Sequence, residues 1–267
     1  MTGSTPQSAH MAEFRERAFQ AWLKDTLRRT FGNVTKEPIP EALLRLIGTS
    51  YSPLTEAETR SRATGEHIMA QCVLYNCGPS GNCYKVRLFA SLAGIPLKIL
   101  EVDLAGGEHR QAAFTALNPW QQVPVLQDGA IVLWDSQAIL VYLAERYAEP
   151  EWCPPDPLSH AQITQWLSVS ANEIQHGPAD ARLVRKFGYQ LNYDQAARLS
   201  AHVLATINTH LTDRDWLALR GPSIADCAAY PYIALAPEGG IDLEPYGAIR
   251  AWMARIEVLP GYIPVGS

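Results

Sequence analysis

Residues 118–139 read NPWQQVPVLQDGAIVLWDSQAI. Two short apolar runs, VPVL and AIVLW, flank Asp128-Gly129, the dipeptide most suited to a tight hairpin, so the stretch predicts two antiparallel strands. Behind them, SQAILVYLAERY (136–147) places apolar residues at helical spacing after a Ser that suits a helix start. A hairpin that runs straight into a helix needs further strands and helices to bury the apolar faces of both.

The flanking sequence supplies them. Upstream, CVLYN (72–76) reads as a short strand, NCYKVRLFASLAG (82–94) as a helix closed by Gly94, PLKILEVD (96–103) as a strand and HRQAAFTAL (109–117) as a helix. The order β-α-β-α-β-β-α predicts a small sheet covered by helices over residues 69–150. Downstream, AEPEWCPPDP (148–157) is a proline-heavy break, and from Leu158 the pattern is helical with no comparable strand signal. An α/β region followed by an all-helical region, residues 158–267, is the predicted architecture.

Residues 1–68 differ from both. A polar tail precedes EFRERAFQAWLKDTLRRTF, whose apolar residues fall on helical spacing, and PEALLRLIG reads as a second helix with Pro40 in its first turn and Gly48 as its stop. Residues 49–68 form a polar linker punctuated by Pro53.

Composition narrows the function. With 47% hydrophobic and 18% charged residues, the 267-residue chain reads as an ordinary globular protein. The net charge is -5; residues 1–68 hold nine Lys and Arg against eight Asp and Glu, leaving thirteen against nineteen of the totals of 22 and 27 for the rest. Such a balance argues against nucleic acid as a partner, because neutralising phosphates needs a concentrated excess of basic groups. No apolar run approaches the ~20 residues needed to span a bilayer, and the N-terminus lacks a basic-then-apolar leader, so a cytoplasmic protein without membrane attachment is expected. Cys72, Cys77, Cys83, Cys153 and Cys227 form an odd set without CxxC spacing, which favours reduced thiols over a disulfide framework or a zinc site.

The strand and helix order, together with VPVL and DSQAI at this separation, resembles the cytosolic glutathione S-transferase family over roughly residues 71–260. The resemblance implies a thioredoxin-like βαβαββα domain followed by an all-helical domain, with glutathione as co-substrate; no metal is expected, because the cysteines lack CxxC spacing and clustered His partners. It also implies a cis peptide at Val123-Pro124, with the backbone of Val123 facing the cysteinyl part of glutathione. Asp135-Ser136 matches the family's acidic-Ser pair, which holds the γ-glutamyl carboxylate at a helix N-terminus; a plain helix cap accounts for the same residues and is compatible with that role. Gln122 matches the residue that bonds the peptide part of the tripeptide. His109 matches a polar position that reaches the glycine carboxylate in some classes, against the alternative of a solvated surface group. Ser223 and Asp226 match a structural capping box.

SGNCYKV (80–86) resembles bacterial and fungal members with a Thr-x-Asn-Gly-x-Lys pattern, Ser80 standing at the Thr and Asn82 at the Asn. The resemblance makes Ser80 first, then Asn82, the donor to the glutathione sulfur. Cys83, in the first turn of a helix, is the rival as a redox thiol, its alternative being a small core residue. Tyr75 lies near where tyrosine-type classes place a phenol, although strand alternation equally buries it, and Tyr84 reads as helix packing. The expected cleft toward the helical region includes Trp166, Asn172, Glu173, His176 and Arg182, with core packing the plainer reading of Trp166 and an ion pair that of Arg182.

The implied activity is transfer of the glutathione thiol to a small hydrophobic electrophile, or reduction of a disulfide or peroxide through the same thiolate, in a homodimer. A non-catalytic scaffold is the alternative. LRRTFGNVTKEPIPEALLRLI (27–47) is similar to the helical anti-sigma factors of alphaproteobacteria, matching at Leu27, Arg28, Val34, Pro38, Pro40, Leu43, Leu44 and Ile47. That similarity implies a regulatory protein partner for residues 1–68, such as a sigma factor or response regulator; the plainer reading is a helical hairpin that packs its apolar stripe on its own body or a dimer mate.

Overall fold

Strand β1 (Cys72–Asn76) alternates buried Cys72, Leu74 and Asn76 with half-buried Val73 and Tyr75, as a strand inside a sheet must. In this computed structural model, which describes residues 72–266, β1 pairs in parallel with β2 (Leu97–Glu101) and antiparallel with β3 (Val125–Asp128). Strand β4 (Ile131–Trp134) completes the order β2-β1-β3-β4. The parallel pair needs a crossover, which helix α1 (Gly81–Leu92) provides. The expectations for residues 1–68, two helices, a linker and a partner-binding motif, lie outside the described residues.

The hairpin forms where expected with one difference. Asp128 pairs with Ile131, so the two-residue loop is Gly129-Ala130, and Gly129 supplies the positive φ, 58°, that such a turn requires. The predicted helix 109–117 also divides. A short turn at Glu108–Arg110 is followed by α2 (Ala112–Leu117), because Gln111 is extended and interrupts the helical run.

Helix α3 (Ser136–Tyr147) packs with α1 on the sheet. Leu74 and Leu126 from the strands meet Val86 and Phe89 of α1 and Ile139, Leu140 and Leu143 of α3, all of them buried. The opposite side of α1 turns Tyr84 and Leu88 into a second core with Ile174, Leu204, Tyr230 and Trp252. Helix α1 is therefore apolar on two faces, which is the condition for a helix wedged between two cores. Tyr84 is a packing residue whose hydroxyl donates to the Ile263 carbonyl.

The proline-heavy break holds a short turn, Pro150–Trp152, after which the chain is helical. Helix α4 (Pro157–Val169) runs into a π-helical segment (Ser170–Ala179) and α5 (Asp180–Phe187). Pro178 has no N–H for an α-helical bond and its ring crowds the preceding turn, so the widened ladder carries the chain past it. Helices α6 (Tyr193–His210), α7 (Ile224–Ala234) and α8 (Gly247–Glu257) follow. Helix α7 is buried along nearly its whole length and opens with the predicted capping box, in which Asp226 also accepts from Leu217 N and Trp252 Nε1. No helix of the described residues is long and apolar enough to cross a membrane.

Candidate functional site

The loop from Cys77 to Ser80 turns β1 into α1 and is fixed from three directions. Gly78 N donates to Glu101 at the end of β2, Arg87 of α1 donates to the Gly78 carbonyl at 3.3 Å, and Arg182 of α5 donates to the Pro79 carbonyl at 3.0 Å. Arg182 is nearly fully buried and also pairs with Glu238, whose second oxygen takes Lys186. The expected ion pair of Arg182 thus exists, with one further bond tying helical region to loop. Gly81 follows at closest approach: a Cβ there would lie 2.5 Å from the Tyr232 ring of α7, so only glycine lets α1 begin in this place.

Ser80 caps α1. Its Oγ accepts from Cys83 N at 3.3 Å, which uses the hydroxyl oxygen to close the first turn. Asn82, half-buried two residues on, reaches the start of α3, where Ser136 Oγ lies 3.4 Å from its Oδ1 and 2.6 Å from Gln137 Oε1, the nearer acceptor of the hydroxyl. Asp135 caps α3 by accepting from Gln137 N and Ala138 N with one carboxylate oxygen. The Ser136 amide is not among the amides so held, and it stands at the positive end of the helix dipole.

Opposite this helix start lies the segment that leads into β3. Asn118 is buried and shapes it, donating to the Gln122 carbonyl at 2.8 Å and accepting from Trp120 N at 3.0 Å. The Val123-Pro124 peptide is cis, as the resemblance implied. Among the described residues, the two non-glycine positions with positive φ are Gln121, at 56°, and Asp135, at 75°. Asp135 lines the cleft and Gln121 lies in the backbone between its lining residues Trp120 and Gln122; a backbone held in that region costs about 1–3 kcal/mol that the surrounding structure must offset, which is a common mark of a functional site.

Between the two sides is a cleft of about 220 Å³ lined by Asn82, Asn118, Trp120, Gln122, Val123, Pro124, Trp134, Asp135 and Ser136. Six of the nine residues expected at the site are therefore together: Asn82, Gln122, Val123, Pro124, Asp135 and Ser136. Ser80, Cys83 and His109 are not in the lining. Cys83 is sealed in the interior, with Cys77 N donating toward its sulfur, and burial pushes its thiol up to about 12. That environment withholds the thiolate which a redox role demands. His109 stands on the short turn before α2, half-buried. Tyr75 packs on a small separate cluster of Val102, Phe114 and Val125, its hydroxyl donating to Gln127 and its ring meeting Phe114 edge-on at 6.1 Å. Of the residues expected toward the helical region, Trp166 packs against both cores, Asn172 bonds Glu173 and His176 bonds Asp180.

Sequence reasoning missed Asn118 and the two tryptophans. Trp120 and Trp134 meet edge-on at 6.3 Å and are 66% and 42% exposed, so they form an aromatic rim where apolar area is open to solvent. The signal was present in the quoted stretch. A Trp beside a proline and another at the end of an edge strand have no core to fill.

The family model for the glutathione S-transferase N-terminal domain matches residues 79–146, and that for the C-terminal domain matches residues 175–260. Glutathione S-transferase D7 of Anopheles gambiae is 31% identical over 185 residues, covering 68% of this chain and 84% of that protein. Maleylacetoacetate isomerase of Pseudomonas aeruginosa is 33% identical over 186 residues, covering 66% and 87%. Among solved structures, a glutathione S-transferase from Pseudomonas fluorescens superposes with a TM-score of 0.68 at 32% identity, covering 73% of this chain and 98% of that one. With the N-terminal model spanning α1 into α3, the C-terminal model reaching past α8, and relatives matched along most of their length, the chain belongs to the glutathione S-transferase family.

Proposed function

We propose that the cleft binds glutathione and that Asn82 activates its thiol for attack on a small electrophile, or on a disulfide or peroxide. The observation that carries this reading is the meeting of Asn82 with Ser136 at one side of a cleft whose other side is Gln122 and Val123. In this arrangement the Ser136 amide takes the γ-glutamyl carboxylate at the start of α3, the single Ser136 O–H turns to it from Gln137 Oε1 and Asn82 Oδ1, the Val123 backbone pairs with the cysteinyl residue and Gln122 bonds the tripeptide's peptide groups. The Asn82 Oδ1 faces Ser136, so its Nδ2 is the donor that turns to the sulfur. Ser80 acts by holding the first turn of α1 in place. Neither Cys83, in the core, nor His109, outside the lining, has a part.

The energetic demand is modest. A thiol with a pKa of about 8.5 is only a few per cent ionised at neutral pH, and lowering it by ~2 units takes ~2.7 kcal/mol of preference for the thiolate. One charge-assisted hydrogen bond and the N-terminus of α1 supply that order. The thiolate sulfur then forms a bond to the electrophilic carbon, sulfur or oxygen while the leaving group departs. The reading includes the homodimer typical of the family, for which the exposed Ile131, Val132 and Trp134 of edge strand β4 are suitable apolar surface.

Titration with glutathione, followed by assays with chlorinated aromatic, disulfide and peroxide substrates, tests the reading. Saturable binding is expected, with turnover on at least one class that falls sharply in Asn82→Ala. Absence of binding, or full turnover in Asn82→Ala, overturns it.

A further inference from the structure

The connection from α3 to α4 brings together three donor side chains of different chemistry. Glu145 stands in the last turn of α3, Cys153 directly follows the short turn Pro150–Trp152, and His160 lies near the start of α4. His160 Nε2 is 3.7 Å from Cys153 Sγ and 3.8 Å from Glu145 Oε1, and the three donor atoms lie within 4.8 Å of one another. None of the three lines the glutathione cleft.

We infer that Glu145, Cys153 and His160 form a binding site for a divalent, borderline-soft cation of the zinc class. Thiolate, imidazole and carboxylate are the donors such a cation takes, at about 2.0–2.3 Å each. Tetrahedral geometry with those bond lengths sets neighbouring donors about 3.4–3.6 Å apart. Two of the three edges here exceed that by a few tenths of an ångström, and the third, between Glu145 and Cys153, lies within 4.8 Å, so closing on a metal takes a swing of the exposed Glu145 carboxylate by up to about 1 Å.

A plain ion pair accounts for the cluster less well. Sulfur and carboxylate converge on the same ring nitrogen, and a single N–H donates fully to only one of them. At 3.8 Å the carboxylate contact is also too long for a hydrogen bond. A cation between the three atoms serves all of them at once. On binding, the Cys153 S–H bond is replaced by an S–metal bond and the proton leaves to solvent. The thiolate and the Glu145 carboxylate then balance the two positive charges while the imidazole remains neutral.

Burial gives the site an entrance. Cys153 belongs to the core, His160 is half-buried and Glu145 is exposed, so the metal enters past Glu145 and its fourth position faces water. The sequence expectation of no metal rested on the lack of CxxC spacing and of clustered His partners, yet seven residues separate Glu145 from Cys153 and six separate Cys153 from His160. Two helix ends and the turn between them bring together what the linear spacing hides. Bound there, the ion clamps the proline-rich connection between sheet and helical regions.

The test uses the full-length protein, stripped with a chelator and then titrated with Co²⁺ and Zn²⁺. The expected result is one Co²⁺ per chain with a thiolate-to-cobalt charge-transfer band, tetrahedral visible absorption and displacement by Zn²⁺. Cys153→Ser removes that band, while His160→Gln and Glu145→Gln each weaken binding at least about tenfold. Cys77→Ser leaves the spectrum unchanged, and Zn²⁺ raises the thermal midpoint of the unmutated protein but not of Cys153→Ser. A charge-transfer band that survives Cys153→Ser overturns the site, as does its absence from the unmutated protein, a result that depends on no variant's folding.

Discussion

The hydroxyl of Ser136 lies 3.4 Å from Asn82 Oδ1, joining the first turn of α3 to the first turn of α1 at the cleft. The contact couples the group assigned to the substrate carboxylate with the group assigned to the sulfur. Ser136→Ala is expected to raise KM for glutathione about tenfold while its backbone amide still binds, since losing one hydrogen bond to a charged group costs about 1.5–3 kcal/mol at most. Asn82→Ala should lower kcat about a hundredfold and raise the pKa of bound glutathione, read from thiolate absorbance against pH. Because the residues touch, the double variant should lose less than the sum of the two. Strict additivity, or an unmoved thiol pKa, speaks against this assignment.

Ser80 separates capping from catalysis. Its Oγ accepts from Cys83 N, so Ser80→Ala should lower stability by about 1 kcal/mol and Ser80→Gly by only a few tenths. Both changes remove the hydroxyl. With Asn82 as the donor to sulfur, Ser80→Gly keeps near-normal kcat, whereas a large loss in both variants, equal despite their different stabilities, assigns the sulfur contact to Ser80. Urea unfolding midpoints measured beside steady-state kinetics decide between the two.

The order of strands and helices was legible because each apolar run had the period of its element and each ended at Gly, Pro or Asp-Gly punctuation. The division at Gln111 was less so, since HRQAAFTAL keeps a helical composition across an extended residue. At the site, Asp135 and Ser136 were legible as a helix start, a local property. Ser80, Asn82 and Cys83 were not separable by sequence, because nearby positions of one turn face different surroundings: a cap, a cleft and a core. Only packing assigns each its environment. The tryptophan rim was overlooked for a related reason, as aromatic residues are read as core by default even where, as with Trp120 beside Pro119 and Trp134 at a strand end, the local sequence signals exposure.

Cys83 provides a check on that division. A fully buried thiol pushed up to about 12 is neither nucleophile nor ready target for alkylation. Cys83→Ala should retain glutathione turnover and lose about 1 kcal/mol of stability to the small cavity left behind. In the native protein, iodoacetamide should modify Cys77, which is half-buried, before Cys83. Mass mapping of the alkylated peptides measures the order, and early labelling of Cys83 would contradict the core placement.

Lys85 lies one turn beyond Asn82 and is fully buried, with its ammonium donating to Ser170 Oγ at 3.2 Å and sitting 5.3 Å over the Tyr232 ring. Burial lowers its pKa to about 7, because a hydroxyl and a ring replace only part of the hydration of a charge. The folded value is then below the unfolded value, so below about pH 7 both states hold the proton and the penalty is fully present. Between about pH 7 and 10.4 the unfolded chain holds a proton that the folded one has released, and stability rises with pH by up to about 1.4 kcal/mol per unit. The range up to about pH 8.5 is the informative one, since above it buried thiols such as Cys83 remain protonated only when folded and pull stability the other way. Lys85→Met should therefore be more stable than the native protein by about 1–4 kcal/mol near pH 7 and show a flatter profile to about pH 8.5. Ser170 loses no necessary partner in that variant, as its hydroxyl already donates to the Ala228 carbonyl at 2.7 Å. Urea midpoints of the two proteins across this range give the difference directly, and parallel profiles would mean that Lys85 keeps its proton on folding.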